Sequence, residues 1–151
     1  MTTLHVTQAK PFPWKCGNCG ERSVAPALVG YSAEMEHDGR IYLVSVPALR
    51  APRCANCGEI VLDDAANRQI SESFRRQLGL LAPEQIRKDR ESLGRTQGEL
   101  AAMLGVAEVA LSRWESGGQI QQIAMDRLLR LFFEFPNVRM ALAEQAAGNR
   151  K

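Results

Sequence analysis

Apolar and polar positions change rhythm along the chain. Between residues 29 and 46 the period is close to two. Val29, Tyr31, Ala33 and Met35 alternate with their neighbours, and Ile41 to Val46 is rich in β-branched and aromatic residues, so two strands are expected. Asp38-Gly39 between them is hairpin turn chemistry. From Asp63 to Leu78 the period is helical. Ala66, Ile70, Phe74 and Leu78 recur under a cap at Asp63 or Asp64. Gly79 stops that helix, and Pro83 suits the first turn of another. Further helices are expected at 83–94, 96–104, 107–116 and 121–135. Residues 1–15 are expected to be extended or loose, because Pro11 and Pro13 disfavour a helix.

Two of these helices form a recognisable pair. Thr96 and Glu99 make a T-x-x-E capping box. Leu100, Met103 and Leu104 supply an apolar side, and Ala101 is small where another helix would cross closely. Gly105 ends the helix and permits a left-handed corner. A second helix runs to Ser116, with Gly117 after it. Two short helices joined by a glycine corner read as a helix-turn-helix. Val106, Leu111 and Trp114 turn inward together, which leaves Glu108, Val109, Ser112, Arg113 and Ser116 outward. In such a motif the outward residues of the second helix meet base edges in the major groove. Arg113 suits guanine, Val109 a thymine methyl, and Ser112 a base or phosphate. Gln97 opens the first helix and suits the phosphate backbone. Glu108 opposes phosphate. Glu115 is expected at the surface as a partner for a neighbouring arginine. Along 121–135 two apolar stripes emerge. Ile123, Ala124, Leu128, Leu131, Phe132 and Phe135 form one; Met125, Leu129 and Phe133 form the other. One stripe packs the helix into its own domain, and the second is expected to form a homodimer interface; the alternative is burial within the monomer under Val138, Ala141 and Leu142. Symmetric pairing would set two recognition helices on half-sites of double-stranded DNA.

Composition narrows the class. Hydrophobic residues are 45% of 151 and charged residues 24%, a globular balance. Net charge is only +2, so nucleic-acid binding rests on a local patch rather than on bulk charge. No apolar run approaches the roughly 18 residues of a spanning helix, and the N-terminus has no signal-peptide pattern. A cytoplasmic protein without membrane association is expected, nucleoid-associated when bound to DNA. No nucleophile–base pair, phosphate loop or carboxylate constellation outside helix faces is present, so no enzyme activity is expected.

The four cysteines add chemistry to the first half. Cys16 and Cys19 are followed, after 34 residues, by Cys54 and Cys57. Disulfides are disfavoured in a reducing compartment, and paired C-x-x-C knuckles read as a tetrahedral metal site. Each knuckle repeats one pattern, Cys16-Gly17-Asn18-Cys19-Gly20 and Cys54-Ala55-Asn56-Cys57-Gly58. Gly20 and Gly58 supply the positive φ of a tight turn. Four thiolates with no open position describe one structural zinc ion; a rubredoxin-like iron redox or sensor site is the rival. His5 and His37 are expected to face solvent. The fold class is thus α+β in two domains: a β-rich four-cysteine zinc ribbon at 1–62, a connecting helix and linker at 63–82, and an all-α, five-helix DNA-binding and dimerisation domain at 83–151.

This order of parts, with ISESFRRQ, APEQIRKDRESLGRTQGELAAMLGV and LSRWESG, resembles the MqsA family of type II antitoxins, which join a YgiT-type zinc finger to an Xre-type helix-turn-helix. The likeness runs from Cys16 to about Ala143. It implies zinc ligands at Cys16, Cys19, Cys54 and Cys57 and a base-reading role for Arg113. It also implies an N-terminal domain that neutralises a small RNase-type toxin, and a C-terminal dimer that represses its own operon at a palindromic operator. Members can carry asparagine where this chain has Val109, which implies a different operator. The alternative is a zinc-ribbon repressor without a toxin.

Overall fold

A computed structural model describes residues 10–148; His5 lies outside them. Two strands, β1 (Val24–His37) and β2 (Arg40–Cys54), precede six helices. These are α1 (Asp64–Leu78), α2 (Pro83–Ser92), α3 (Gln97–Leu104), α4 (Glu108–Ser116), α5 (Ile123–Glu134) and α6 (Pro136–Gly148). The class is α+β, with five helices after α1.

The strands form a two-stranded hairpin. Its turn is Asp38-Gly39, with φ of 53° and 72°. Positive φ at both central residues is the turn whose twist matches that of the flanking strands. Pairing outward from it sets Ser32 against Ser45, whose hydroxyls lie 2.9 Å apart. Both strands run well past the alternating segments. The extensions carry Pro26, Pro47 and Pro52, which break the strand signal in sequence. In a two-stranded sheet each strand is an edge, where proline is tolerated. Gln69 of α1 covers part of the free edge of β2: its Oε1 accepts from the Arg50 amide at 3.0 Å, and its Nε2 donates to the Arg50 carbonyl at 2.9 Å. Asp63 caps α1 by accepting the Ala66 amide at 2.8 Å.

The described residues divide into two compact units, one within residues 10–32 and 45–70, the other within 33–44 and 71–148. The first has a core of Cys16, Val24 and Cys54, with Trp14, Cys19 and Val61 packed on it. Short bridges pair Trp14 with Val24 and Arg53 with Ile60. The second has a core of Ile86, Leu100, Ala101, Leu111, Trp114, Leu129 and Phe132. Its helices turn sharply at Gly105 (φ 76°) and Gly117 (φ 82°), a left-handed geometry that glycine adopts without strain.

One expectation is corrected here. Leu129 is fully buried in the core of the second unit, and Met125 and Phe133 pack against that core. The stripe assigned to a second copy therefore faces its own protomer. Leu131 on α5, Phe135 just after it and Met140 on α6 are instead exposed. Two stripes of similar hydropathy on one helix carry no sign of which is inward; here the inward arc also holds Asp126, a charged residue that the pattern excludes.

Candidate metal centre and nucleic-acid interface

The two knuckles fold alike. The Gly20 amide donates to the Cys16 carbonyl at 3.0 Å, and the Gly58 amide to the Cys54 carbonyl at 2.9 Å. The Cys16 and Cys54 amides both donate to carbonyls five residues on, Glu21 and Glu59, at 2.8 Å. Gly20 and Gly58 share a φ of 81°. This repetition brings all four sulfurs within 4.8 Å of one another. Cys16 Sγ lies 3.6 Å from Cys57 Sγ, and Cys19 Sγ lies 3.7 Å from Cys54 Sγ. A zinc ion bonded to sulfur at about 2.3 Å sets tetrahedral edges near ~3.8 Å. The four cysteines therefore fit one zinc ion, with no ligand position left for water.

The asparagines cross between knuckles. Asn18 Nδ2 donates to Cys57 Sγ at 3.6 Å, and Asn56 Nδ2 to Cys19 Sγ at 3.4 Å. The Asn18 amide also donates to Cys16 Sγ at 3.4 Å. Donors aimed at sulfur favour the thiolate that a metal requires. The Cys57 thiol is pulled down to about 6, first by the Glu59 amide and then by the Asn18 carboxamide. Cys19 is lowered mainly by the Asn56 carboxamide. The role of Asn18 and Asn56 escaped the sequence reading, although asparagine recurs at the same place in both knuckles.

The second site is built on α3 and α4. Thr96 Oγ1 accepts the Glu99 amide at 3.1 Å and caps α3. Leu111 and Trp114 anchor α4 in the core. Val109 and Arg113 stand exposed, and the Arg113 guanidinium has no hydrogen bond or ion pair among the described residues. Glu108 is exposed, and its carboxylate leans on α3 within 3.4 Å of where a Cβ on Gly98 would sit. Ser112 is half-buried. Ser116 is exposed, but its hydroxyl donates to the Arg113 carbonyl at 3.2 Å and so closes the end of the helix. The Gln97 carboxamide donates to Glu115 Oε1 at 3.3 Å.

Glu115 departs from its expected surface position. Its side chain is 3% exposed and forms a two-pronged pair with Arg90 of α2, at 2.8 and 2.9 Å. Arg90 also donates to the Arg95 carbonyl at 2.7 Å. Donating to the Glu115 carboxylate raises Arg90 above its ordinary value. A forked guanidinium–carboxylate contact is the strong form of a charge pair, and this one ties α2 to α4. His37 also departs from expectation: its side chain is 11% exposed and its ring is edge-on to Phe74. No periodicity within α4 or β1 could reveal either partner, because each is supplied by a distant segment.

Among the described residues no helix is long and apolar enough to cross a membrane. A family model described as the antitoxin component of bacterial toxin-antitoxin systems, MqsA, matches residues 14–142. No curated protein matches the chain.

Proposed function

Because the chain belongs to the MqsA antitoxin family, we propose that it neutralises a small RNase-type toxin through its zinc ribbon and represses its own operon as a homodimer on palindromic double-stranded DNA. The observation that carries the DNA reading is the exposed Arg113 on α4, unpaired among the described residues. A free guanidinium beside Val109 suits a guanine next to a thymine methyl. Ser112 and Gln97 flank it as polar contacts, while Glu108 and Ser116 border the reading face. Leu131, Phe135 and Met140 are the exposed apolar residues that would serve a homodimer in place of Leu129. The protein acts in the cytoplasm and associates with the nucleoid when bound to DNA. Its chemistry is binding rather than catalysis.

The test uses the DNA fragment upstream of the protein's own coding sequence. Arg113→Ala is expected to cost about 1–3 kcal/mol of sequence-specific binding, with the helical content unchanged. Equal affinity of variant and parent in fluorescence anisotropy overturns the assignment. A tagged chain recovered from its native cells is expected to carry one small stoichiometric protein that is toxic when expressed alone. Recovery of DNA with no such protein favours a repressor without a toxin.

A further inference from the structure

We propose that His37 and Asp38, at the hairpin tip, are positioning residues for DNA binding that hold the corner between α4 and α5. The proposal rests on the DNA-binding reading above and assigns it two residues outside the helix-turn-helix.

The argument begins with an uncapped helix. α5 opens after Gln122, whose side chain makes no capping bond. A helix start leaves amides in need of acceptors. The acceptor here comes from a residue 85 positions away: Asp38 Oδ2 takes the Ile123 amide at 2.8 Å. A carboxylate at this end is also favoured by the helix dipole. The hairpin turn makes the placement possible, since Asp38 sits at φ 53° in it. One residue earlier, His37 Nε2 lies 3.1 Å from the Gln121 carbonyl, to which it donates. The His37 ring is fixed edge-on to Phe74 at 5.7 Å, and Tyr42 meets Phe74 at 5.6 Å. Two adjacent residues of the tip thus grip the backbone at 121–123.

The gripped segment lies just beyond the helix pair proposed to face DNA. Gly117 closes α4, and three residues separate it from Gln121. The Gln119 amide donates back to the Arg113 carbonyl at 3.2 Å, so the corner is bonded to the residue that carries the reading guanidinium. Gln121 is fully buried, and its Nε2 donates to the Leu81 carbonyl at 2.9 Å and to Asp126 Oδ1 at 3.1 Å. The corner is therefore held from its own helices on one side and by the hairpin tip on the other. Loosening the tip frees the start of α5 and, through this short tether, the last turn of α4.

The test uses the full-length, zinc-loaded chain and the DNA fragment upstream of its own gene. Asp38→Gly keeps a turn with positive φ at both positions and removes the cap. Asp38→Asn tolerates the same φ and keeps an acceptor oxygen. His37→Phe keeps an aromatic ring against Phe74 and removes the donor. Hydrogen exchange at the Ile123 amide and DNA affinity are read together, well below the unfolding temperature, with zinc content as a control. Asp38→Gly is expected to speed exchange at Ile123 and to weaken DNA binding, each about five- to tenfold, and Asp38→Asn to restore both to within about twofold. His37→Phe is expected to weaken DNA binding about threefold. Faster exchange with unchanged DNA affinity overturns the proposal, because the clasp is then structural only. Unchanged exchange in Asp38→Gly overturns it as well. A parent chain that does not bind the fragment overturns the DNA-binding reading, and this proposal with it.

Discussion

Around the knuckles the core is Cys16, Val24 and Cys54, with Trp14, Cys19 and Val61 against it. Around α3 and α4 it is Ile86, Leu100, Ala101, Leu111, Trp114, Leu129 and Phe132. Three of the six residues in the first set are sulfur ligands; the second set contains none. The first unit therefore places at its centre groups that bind a cation as anions, and four thiolates within 4.8 Å repel one another without one. A unit of about 60 residues has a small apolar core with which to offset that; Val29, Leu49, Ala51, Ala66 and Ile70 are its other buried apolar residues. The second unit is closed by aliphatic and aromatic side chains that need no ion. The same chain is thus expected to combine a metal-dependent fold with a metal-independent one.

The sharpest way to break this comparison is to remove the ion. Structural zinc contributes on the order of 10–16 kcal/mol of apparent binding free energy, more than a small unit's whole stability. Cys54→Ser, or a strong chelator, is expected to unfold residues near the knuckles while the α3–α4 core persists. Thermal unfolding followed separately by tryptophan fluorescence and by far-ultraviolet circular dichroism checks this. A single transition that takes both cores together would show that the second unit also depends on zinc.

The next effect concerns charge inside the second unit. Its core has one feature that resembles the first: a buried ion held by opposite charge, here the Arg90–Glu115 pair. Glu115→Ala leaves Arg90 with its carboxylate partner removed, and a broken buried pair costs about 3–5 kcal/mol. Urea unfolding of the helical unit is expected to show that loss, while zinc stoichiometry stays at one per chain. Replacing both partners with apolar residues of similar volume is expected to recover most of the stability. Failure to recover it would mean that the pair does more than neutralise itself.

What the sequence disclosed follows from how local each signal is. The knuckles, the Asp38-Gly39 turn, the Thr96 cap and the Gly105 corner are each written within about five residues, and the structure forms all of them. The strand lengths were masked by Pro26, Pro47 and Pro52, whose tolerance depends on the sheet having only two strands. Glu115, His37 and Leu129 were misplaced for a shared reason. Burial of each is decided by a partner far along the chain: Arg90 for Glu115, Gln121 and Phe74 for His37, the packed helices for Leu129. Helical periodicity shows that α5 has apolar arcs, and only the neighbours decide which arc is inside.

Leu129 supplies the finest test, because a core residue and an interface residue respond differently to concentration. A fully buried leucine cut to alanine costs about 2–5 kcal/mol through lost transfer energy and the cavity left behind. With Leu129 inside its own unit, Leu129→Ala is expected to lower the unfolding midpoint by the same amount at low and high protein concentration. An interface residue would instead shift the dissociation constant of the dimer and make the loss depend on concentration. Leu131→Ala on the exposed side of α5 is expected to show the reverse pattern: little change in stability, and a weaker dimer by sedimentation equilibrium. If Leu129→Ala proves concentration-dependent, α5 rearranges when two copies meet, and the second unit, like the first, completes its core only by binding something.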